Sequence, residues 1–281
     1  MKKKYLKYLI GIIVALVIIV DLCVLLYPTV SGYINSHVQS RVVALYLDDM
    51  ASMTDTESRA LLEAARGYNK NLLLKKDRFA FSKEETAEYN GLLNNGRNVM
   101  GILVIDKINV NLPIYHGSDE GVLQVGLGHI PGTSLPVGGI GTHAFITGHR
   151  GLPSSTLLTD LNKVDEGDTF VLHVAGKMLT YQVDQIQTVE PGEVEALNID
   201  PDKDYCTLVT CTPYGINTHR LLVRGHRVQN AANAECEPIY ADARHLDKIP
   251  MILMFLIPVL PGFAALIIIK CRKIHKGGTF Q

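Results

Sequence analysis

The sequence YCTLVTCTPYGINTHRLLVRGHRV, residues 205–228, contains two runs rich in β-branched residues on either side of a turn. Residues 212–215, Thr-Pro-Tyr-Gly, have the composition of that turn, because proline and glycine favour the backbone angles that turns require. The runs 205–211 and 219–228 are therefore predicted to be two strands.

Five similar runs precede this pair, separated by Gly, Pro and Asn. They read MGILVID (100–106), NVNLPIYHG (109–117), AFITGHR (144–150), DTFVLHV (168–174) and MLTYQVDQIQTVE (178–190). Val174-Ala175-Gly176-Lys177 is predicted to be a hairpin turn. Seven strands within about 130 residues, without helical periodicity between them, indicate a mainly β domain over residues 100–230, either a barrel or a sandwich.

The region 28–99 is predicted to be helical. Thr54 with Glu57, and Ser82 with Glu85, have the spacing of capping boxes, which mark the starts of helices. Between the two predicted helices lies a connector of mixed character, residues 71–81.

Apolar residues are concentrated at the two ends of the chain. Residues 9–26 read LIGIIVALVIIVDLCVLL and residues 249–269 read IPMILMFLIPVLPGFAALIII, close to the length that crosses a bilayer as a helix. Lysines precede the first segment and basic residues follow the second, so both termini are predicted to be cytoplasmic. A cleaved signal peptide and a buried core helix are the respective alternatives.

This topology divides the chain into seven parts and places the strand-rich domain outside the cell. The predicted parts are a cytoplasmic tail (1–8), a transmembrane helix (9–27), an extracellular helical region (28–99), the β domain (100–230), a linker (231–248), a second transmembrane helix (249–269) and a second tail (270–281).

Composition excludes several classes of function. With 27 basic and 28 acidic residues the net charge is −1, which gives no reason to expect nucleic-acid binding. Five cysteines without regular spacing exclude a disulfide scaffold and a zinc ribbon. No ligand spacing indicates a metal, and the glycines of 138–142 lack the Gly-Lys-Ser/Thr ending of a phosphate loop, so no cofactor is expected.

Cys211 is the candidate nucleophile, because it ends an apolar strand and precedes a turn, where a side chain is held rigidly and still meets substrate. A buried strand cysteine is the alternative. A thiol needs a base or a cation nearby, and His149 and Arg220 each lie at the end of a predicted strand. An arginine there could stabilise the oxyanion of a tetrahedral intermediate.

The combination of TLVTC (207–211), TGHRG (147–151) and NTHRLLVRG (217–225) resembles the signature of sortases, the cysteine transpeptidases of Gram-positive cell surfaces. Longer blocks, among them PIYHG and TCTPYGIN, together with the C-terminal apolar segment, resemble class C, the pilus-assembling sortases. The resemblance implies an eight-stranded β-barrel, with Cys211 as nucleophile, His149 as general acid and base, and Arg220 as stabiliser of the oxyanion.

The implied reaction cleaves an LPxTG-like sorting signal between Thr and Gly through a Cys211 thioester and transfers it to a pilin lysine. The implied partners are pilin subunits, other LPxTG-type surface proteins and the membrane. The resemblance also implies a lid over the site, at residues 76–80, in which Asp77 pairs with Arg220 and Phe79 covers Cys211. Arg78 stands where class C enzymes usually have proline, and a solvated loop is the alternative.

Two other functions remain open from the sequence. One is a sortase that attaches surface proteins to peptidoglycan, and the other is a non-catalytic, membrane-tethered β-domain that binds surface proteins. The oligomeric state is left open.

Overall fold

The computed structural model describes residues 2–94, 96–152, 155–193 and 197–230. Within these residues there are four α-helices and eight β-strands. The helices are α1 (Lys2–Ser52), α2 (Asp55–Leu74), α3 (Lys83–Gly91) and α4 (Glu120–Leu123). The strands are β1 (Val99–Ile105), β2 (Val110–His116), β3 (Leu127–His129), β4 (Thr142–Thr147), β5 (Thr169–Val174), β6 (Lys177–Val189), β7 (Asp204–Thr212) and β8 (His219–Val228).

The strands form a closed barrel in the order β1-β2-β3-β4-β7-β8-β6-β5, which confirms the expected eight-stranded barrel and excludes a sandwich. Seven of the strands fall on the seven predicted runs, and the eighth is the three-residue β3. The predicted hairpin is present between β5 and β6, where Val174 pairs with Lys177. Ala175 and Gly176 have φ of 46° and 74°, and a two-residue hairpin turn of type I′ requires positive φ at both central residues.

The barrel interior is filled by one side of each strand, because successive side chains point to opposite faces. On β7, Cys206 and Leu208 belong to the main core, with Ile146 of β4 and Val223 of β8 beside them in the same cluster. Val209 instead belongs to a separate small cluster with Phe145 and Leu222 on the outer face. The outer face of β4, β7 and β8 therefore carries its own apolar patch.

Both predicted capping boxes are present. Thr54 and Ser82 are the N-caps of α2 and α3, and each accepts a hydrogen bond from the backbone of the glutamate three residues later, which bonds back. The predicted connector begins later than expected, because α2 continues through residues 71–74. Leu72 is buried there, and its packing extends the helix.

Helix α2 and the part of α1 that lies within the larger compact unit are fixed to the barrel by buried polar contacts. The Tyr46 hydroxyl donates to the Met100 carbonyl at 3.0 Å and accepts from the Ala175 amide at 3.1 Å. Burial raises the pKa of Tyr46 to about 12, so it stays a neutral donor. Asn69 of α2 bonds both the amide and the carbonyl of Leu135. The end of α1 around Tyr46 and helix α2 thus pack as part of the barrel domain.

Helix α1 also contains the first predicted transmembrane segment. Among the described residues it is the one helix long and apolar enough to span a membrane, with a mean hydropathy of 2.6 in its most apolar window and none of that window buried. It passes residues 27 and 28 without a break, and Pro28 lies inside it. The predicted second segment, residues 249–269, lies outside the described residues, as do the linker 231–248 and the tail 270–281.

The described residues belong to two compact units. The larger, Ser31–Ala243, contains the barrel, and residues 2–30 belong to the smaller one. The boundaries of the seven parts predicted from the sequence stay predictions.

A fully buried histidine joins α3 to β3. The Tyr89 hydroxyl lies 2.9 Å from His129 Nδ1, and His129 Nε2 donates to the Ser134 carbonyl at 2.8 Å. Burial lowers the pKa of His129 to about 4. This histidine is therefore neutral at physiological pH, with both ring nitrogens bonded.

The buried His129 predicts an acid-sensitive stability. Between pH 6.5 and 4 the unfolded chain binds a proton at this position and the folded chain does not, so the free energy of unfolding falls as the pH is lowered, by roughly 3 kcal/mol. His129→Gln should remove this part of the slope, measured by chemical denaturation in detergent at several pH values. His37→Gln, which alters an exposed histidine, should keep the wild-type slope. Equal slopes in wild type and His129→Gln would contradict the assignment.

Candidate active site

Cys211 lies near the end of β7 on the outer face of the barrel. It follows Val209 by two residues, so it shares the outer face with Val209 and not the interior with Cys206 and Leu208. Its side chain is half-buried, whereas Cys206 is fully buried. The alternative of a fully buried strand cysteine therefore applies to Cys206 and not to Cys211.

Arg220 lies directly opposite Cys211 on the neighbouring antiparallel strand. The register of β7 and β8 pairs Cys211 with Arg220, and the next outer-face pair is Val209 with Leu222. Directly opposed side chains have Cβ atoms about 5 Å apart. The Arg220 guanidinium donates through Nη1 to the carbonyls of Asn217 and His219 at 3.2 and 3.1 Å. As opposed residues of an antiparallel pair, Arg220 and Cys211 lie on the same face of the sheet.

His149 follows β4, which pairs with β7 in parallel and places Thr147 beside Val209. Beyond the strand, the Gly148 amide donates to the Val209 carbonyl at 3.1 Å, and the Thr210 hydroxyl donates to the Gly148 carbonyl at 2.8 Å. These bonds continue the pairing of the two segments beyond the last residue of β4. His149 therefore lies beside Cys211 in the continued register. The three predicted residues thus come from three adjacent strands at one end of the barrel.

Gly148 is packed closely against the side chains of Leu127 and Leu158. A Cβ atom at this position would lie 2.6 Å from a methyl carbon of Leu127 and 3.0 Å from Leu158 Cγ, inside contact distance. A larger residue would require the His149 segment or these two leucine side chains to shift.

Arg150 was not assigned a role from the sequence, although it directly follows His149. Its guanidinium donates to the Thr159 carbonyl, to Thr212 Oγ1 and to Asn162 Oδ1, at 3.1, 3.2 and 2.8 Å. Thr212 follows Cys211, so Arg150 connects the histidine segment to the cysteine strand. Neither charge nor spacing distinguishes such an arginine in the sequence.

Glu120 is a second residue that the sequence did not single out. Its Oε2 lies 3.4 Å from His149 Nε2. A hydrogen bond from Gln124 and the charge of His149 lower the pKa of this glutamate, which stays ionised.

The candidate lid lies between α2 and α3, but its contacts differ from those expected. Asp77 Oδ1 accepts hydrogen bonds from the Phe79 and Ala80 amides, both at 3.2 Å. Among the described residues Asp77 makes no ion pair with Arg220; its carboxylate instead caps its own loop, and the expected pairing stays a prediction.

Arg78 and Phe79 contact the segments that precede β4 and β7. Arg78 Nη2 donates to the Leu197 carbonyl at 3.3 Å, in the segment between β6 and β7. The Arg78 carbonyl and the Phe79 ring lie against Gly132, where a Cβ atom would be 2.6 Å from each of them. Arg78 also stacks on Phe79, with the guanidinium 5.5 Å from the ring centroid. Phe79 keeps 42% of its surface exposed, and its expected role over Cys211 stays a prediction.

A cavity of about 460 Å³ opens on the same outer face, farther along β7 and β8. Its lining includes His143, Gln187, Asn198, Thr207, Leu222 and Arg224. His143 Nδ1 donates to the Asn198 carbonyl at 2.8 Å, and Nε2 lies 2.7 Å from the Thr207 hydroxyl. Burial lowers the pKa of His143 to about 4, so this histidine is a neutral structural group. Among the described residues no cluster of three or more potential metal ligands is present.

Comparisons with known proteins agree with this geometry. Residues 103–228 match the family described as Sortase domain. Sortase D of Bacillus subtilis is 28% identical over 131 residues, 46% of this chain and 63% of that protein. Sortase A of Streptococcus agalactiae is 32% identical over 117 residues, 41% of this chain and 47% of that protein. The chain therefore spans less than two thirds of the length of either curated relative.

Solved structures match over more of the chain. Sortase C1 of Streptococcus agalactiae is 46% identical with a TM-score of 0.66, and the match covers 68% of this chain and 100% of that one. Sortase C of Streptococcus pneumoniae is 42% identical with a TM-score of 0.62, covering 68% and 98%. With an outer-face cysteine on the matching barrel, the chain belongs to the sortase family of cysteine transpeptidases and fits class C.

Proposed function

We propose that this chain is a membrane-anchored pilin polymerase. It cleaves an LPxTG-like sorting signal between Thr and Gly and joins the new carboxyl end to a lysine of another pilin subunit. The observation that carries the proposal is the Cys211–Arg220 cross-strand pair with His149 at the same level. Support for the substrate comes from class C relatives. The structure of Streptococcus pneumoniae sortase C is described as giving insight into pilin substrate specificity.

Each proposed role follows from the chemistry of its group. The Cys211 thiolate attacks the threonine carbonyl, and the Arg220 guanidinium stabilises the oxyanion that forms, since it stays charged at any working pH. Protonated His149 gives its proton to the departing glycine amine, which leaves a thioester on Cys211. Neutral His149 then accepts a proton from the attacking lysine amine as the isopeptide bond forms and the thiolate is released.

The cavity beside His143 supports a peptide substrate. Thr207 precedes Cys211 by four positions, which is about 13 Å along a strand. In an extended Leu-Pro-x-Thr segment the Leu and Thr are three residues, or about 10 Å, apart, so with threonine at Cys211 the leucine comes to within about one residue of this cavity. The apolar patch of Phe145, Val209 and Leu222 lies between the two points.

The predicted topology places this site on the wall face of a Gram-positive membrane. The apolar part of α1 supports one anchor, and the sequence of residues 249–269 supports a second. With basic residues at both ends, two spans would keep both termini cytoplasmic.

Co-expression with a pilin tests the proposed reaction. Wild type should produce a ladder of high-mass pilin polymers on denaturing gels, and Cys211→Ala should produce none. Cys206→Ala, which removes the buried thiol of the same strand, should keep the ladder. Pilin attached to peptidoglycan fragments without a ladder would instead support the wall-anchoring function. Binding of pilin without cleavage of an LPxTG peptide would support the binding domain, and cleavage by Cys211→Ala would contradict the mechanism.

The lid contacts predict a change in access to Cys211. Arg78→Ala removes the bond to the Leu197 carbonyl, and Asp77→Ala with Phe79→Ala removes the loop cap and the ring. Both variants should speed alkylation of Cys211 by a neutral reagent, measured by mass spectrometry. Arg66→Ala removes an equal charge at an exposed position of α2 and should leave the rate unchanged. An unaltered rate in both lid variants would contradict the lid.

A further inference from the structure

One ring nitrogen of His149 lacks a hydrogen-bond partner. Its Nε2 is buried and has no hydrogen-bond partner, because the geometry toward Glu120 falls short of a hydrogen bond at 3.4 Å. A buried polar nitrogen without a partner is costly. Catalytic hydrogen bonds are often long or poorly aligned in the absence of substrate and tighten during the reaction. Glu120 Oε2 is the charged acceptor within reach of this nitrogen.

The fold holds Glu120 at this position through α4, which connects β2 to β3. Leu123 of α4 packs on Gly128 of β3, where a Cβ atom would be 3.2 Å from its methyl carbon. Gly128 in turn pairs with Thr147 at the end of β4, two residues before His149. Gln124 donates from Nε2 to Glu120 Oε1 at 2.5 Å, which leaves Oε2 for the histidine.

We infer that Glu120 is a positioning residue for His149, which holds Nε2 toward its carboxylate and stabilises the protonated ring. With Nε2 directed at Glu120, Nδ1 is the nitrogen left for the reacting groups, since the bond made by one ring nitrogen fixes the role of the other. The inference rests on the proposed function, in which His149 delivers a proton to the leaving amine.

The Glu120 carboxylate acts on both the imidazolium of His149 and the thiolate of Cys211. It favours the imidazolium of His149, and through that cation it favours the Cys211 thiolate. Directly, its negative charge disfavours the thiolate. The two effects oppose each other, so the presence of His149 decides the sign of the change when Glu120 is replaced.

The size of the effect is limited by solvent. Glu120 has 70% of its side chain exposed, against 25% for His149. Exposed ion pairs are screened, and a two- to fivefold change in rate is about what such a pair supplies. Since Glu120 is exposed, its replacement leaves the packing of the barrel intact.

The test is a double-mutant cycle on alkylation of Cys211 by iodoacetamide near neutral pH, in the full chain. Glu120→Gln should slow alkylation about two- to fivefold when His149 is present. In the His149→Asn background the same change should leave the rate unaltered or raise it. Equal slowing in both backgrounds, or no slowing in either, would overturn the inference.

Turnover of an LPxTG peptide gives the second readout. Glu120→Gln should lower kcat by a similar factor with little change in KM, and Glu120→Asp should recover part of the loss. Asp119→Asn makes the same charge change at the adjacent position. It should match wild type, because among the described residues the ion pair of His149 is with Glu120 and not with Asp119. Loss of kcat in Asp119→Asn equal to that in Glu120→Gln would also overturn the inference.

These outcomes separate the inference from the proposed function. If Cys211→Ala still cleaves the peptide, the proposed function fails, whatever the cycle gives. If cleavage needs Cys211 but the cycle shows no coupling, Glu120 is not the positioning residue and the proposed function stands.

Discussion

The register between β7 and β8 is the constraint on which the site depends. In an antiparallel pair, residues directly opposite share a face, so pairing Cys211 with Arg220 puts the thiol and the guanidinium on one surface. A shift of one residue would send one of the two side chains to the opposite face from its partner. The same register pairs Val209 with Leu222, which belong to the outer-face cluster next to the site along the two strands. Leu208 and Val223 point the other way and fill the barrel interior.

Burial separates the histidines by role. His129 and His143 are buried, each has both ring nitrogens in contact with a partner, and the pKa of each is lowered to about 4. Such residues hold loops in place and do not exchange protons near neutral pH. His149 differs because it lies beyond the end of β4 at the level of Cys211 and has one unsatisfied nitrogen. The position beside Cys211, and not the residue type, is therefore what distinguishes His149 as the proposed acid and base.

The β pattern was sufficient to predict a mainly β domain, because seven of its strands are long enough to carry it, whereas the choice of a barrel over a sandwich came from the resemblance to sortases. It did not reveal β3, whose three residues include a glycine and have no pattern of their own. Cys211, His149 and Arg220 could be found because each lies at a strand end beside a recognisable motif. Glu120 and Arg150 could not, since their contacts depend on how distant segments meet in the barrel. The Asp77–Arg220 pairing is implied by resemblance alone and stays a prediction, since in the structure Asp77 accepts hydrogen bonds from its own loop amides.

The central claim is that Cys211 carries the acyl group of the cleaved sorting signal. Intact-mass spectrometry of the full chain, quenched in acid after mixing with an LPxTG peptide and without an amine acceptor, tests it most directly. The account predicts an added mass equal to the peptide fragment that ends in threonine, located by digestion to Cys211 and removed by hydroxylamine. Cleavage of the peptide with no adduct at Cys211, or an adduct on another residue, would contradict it.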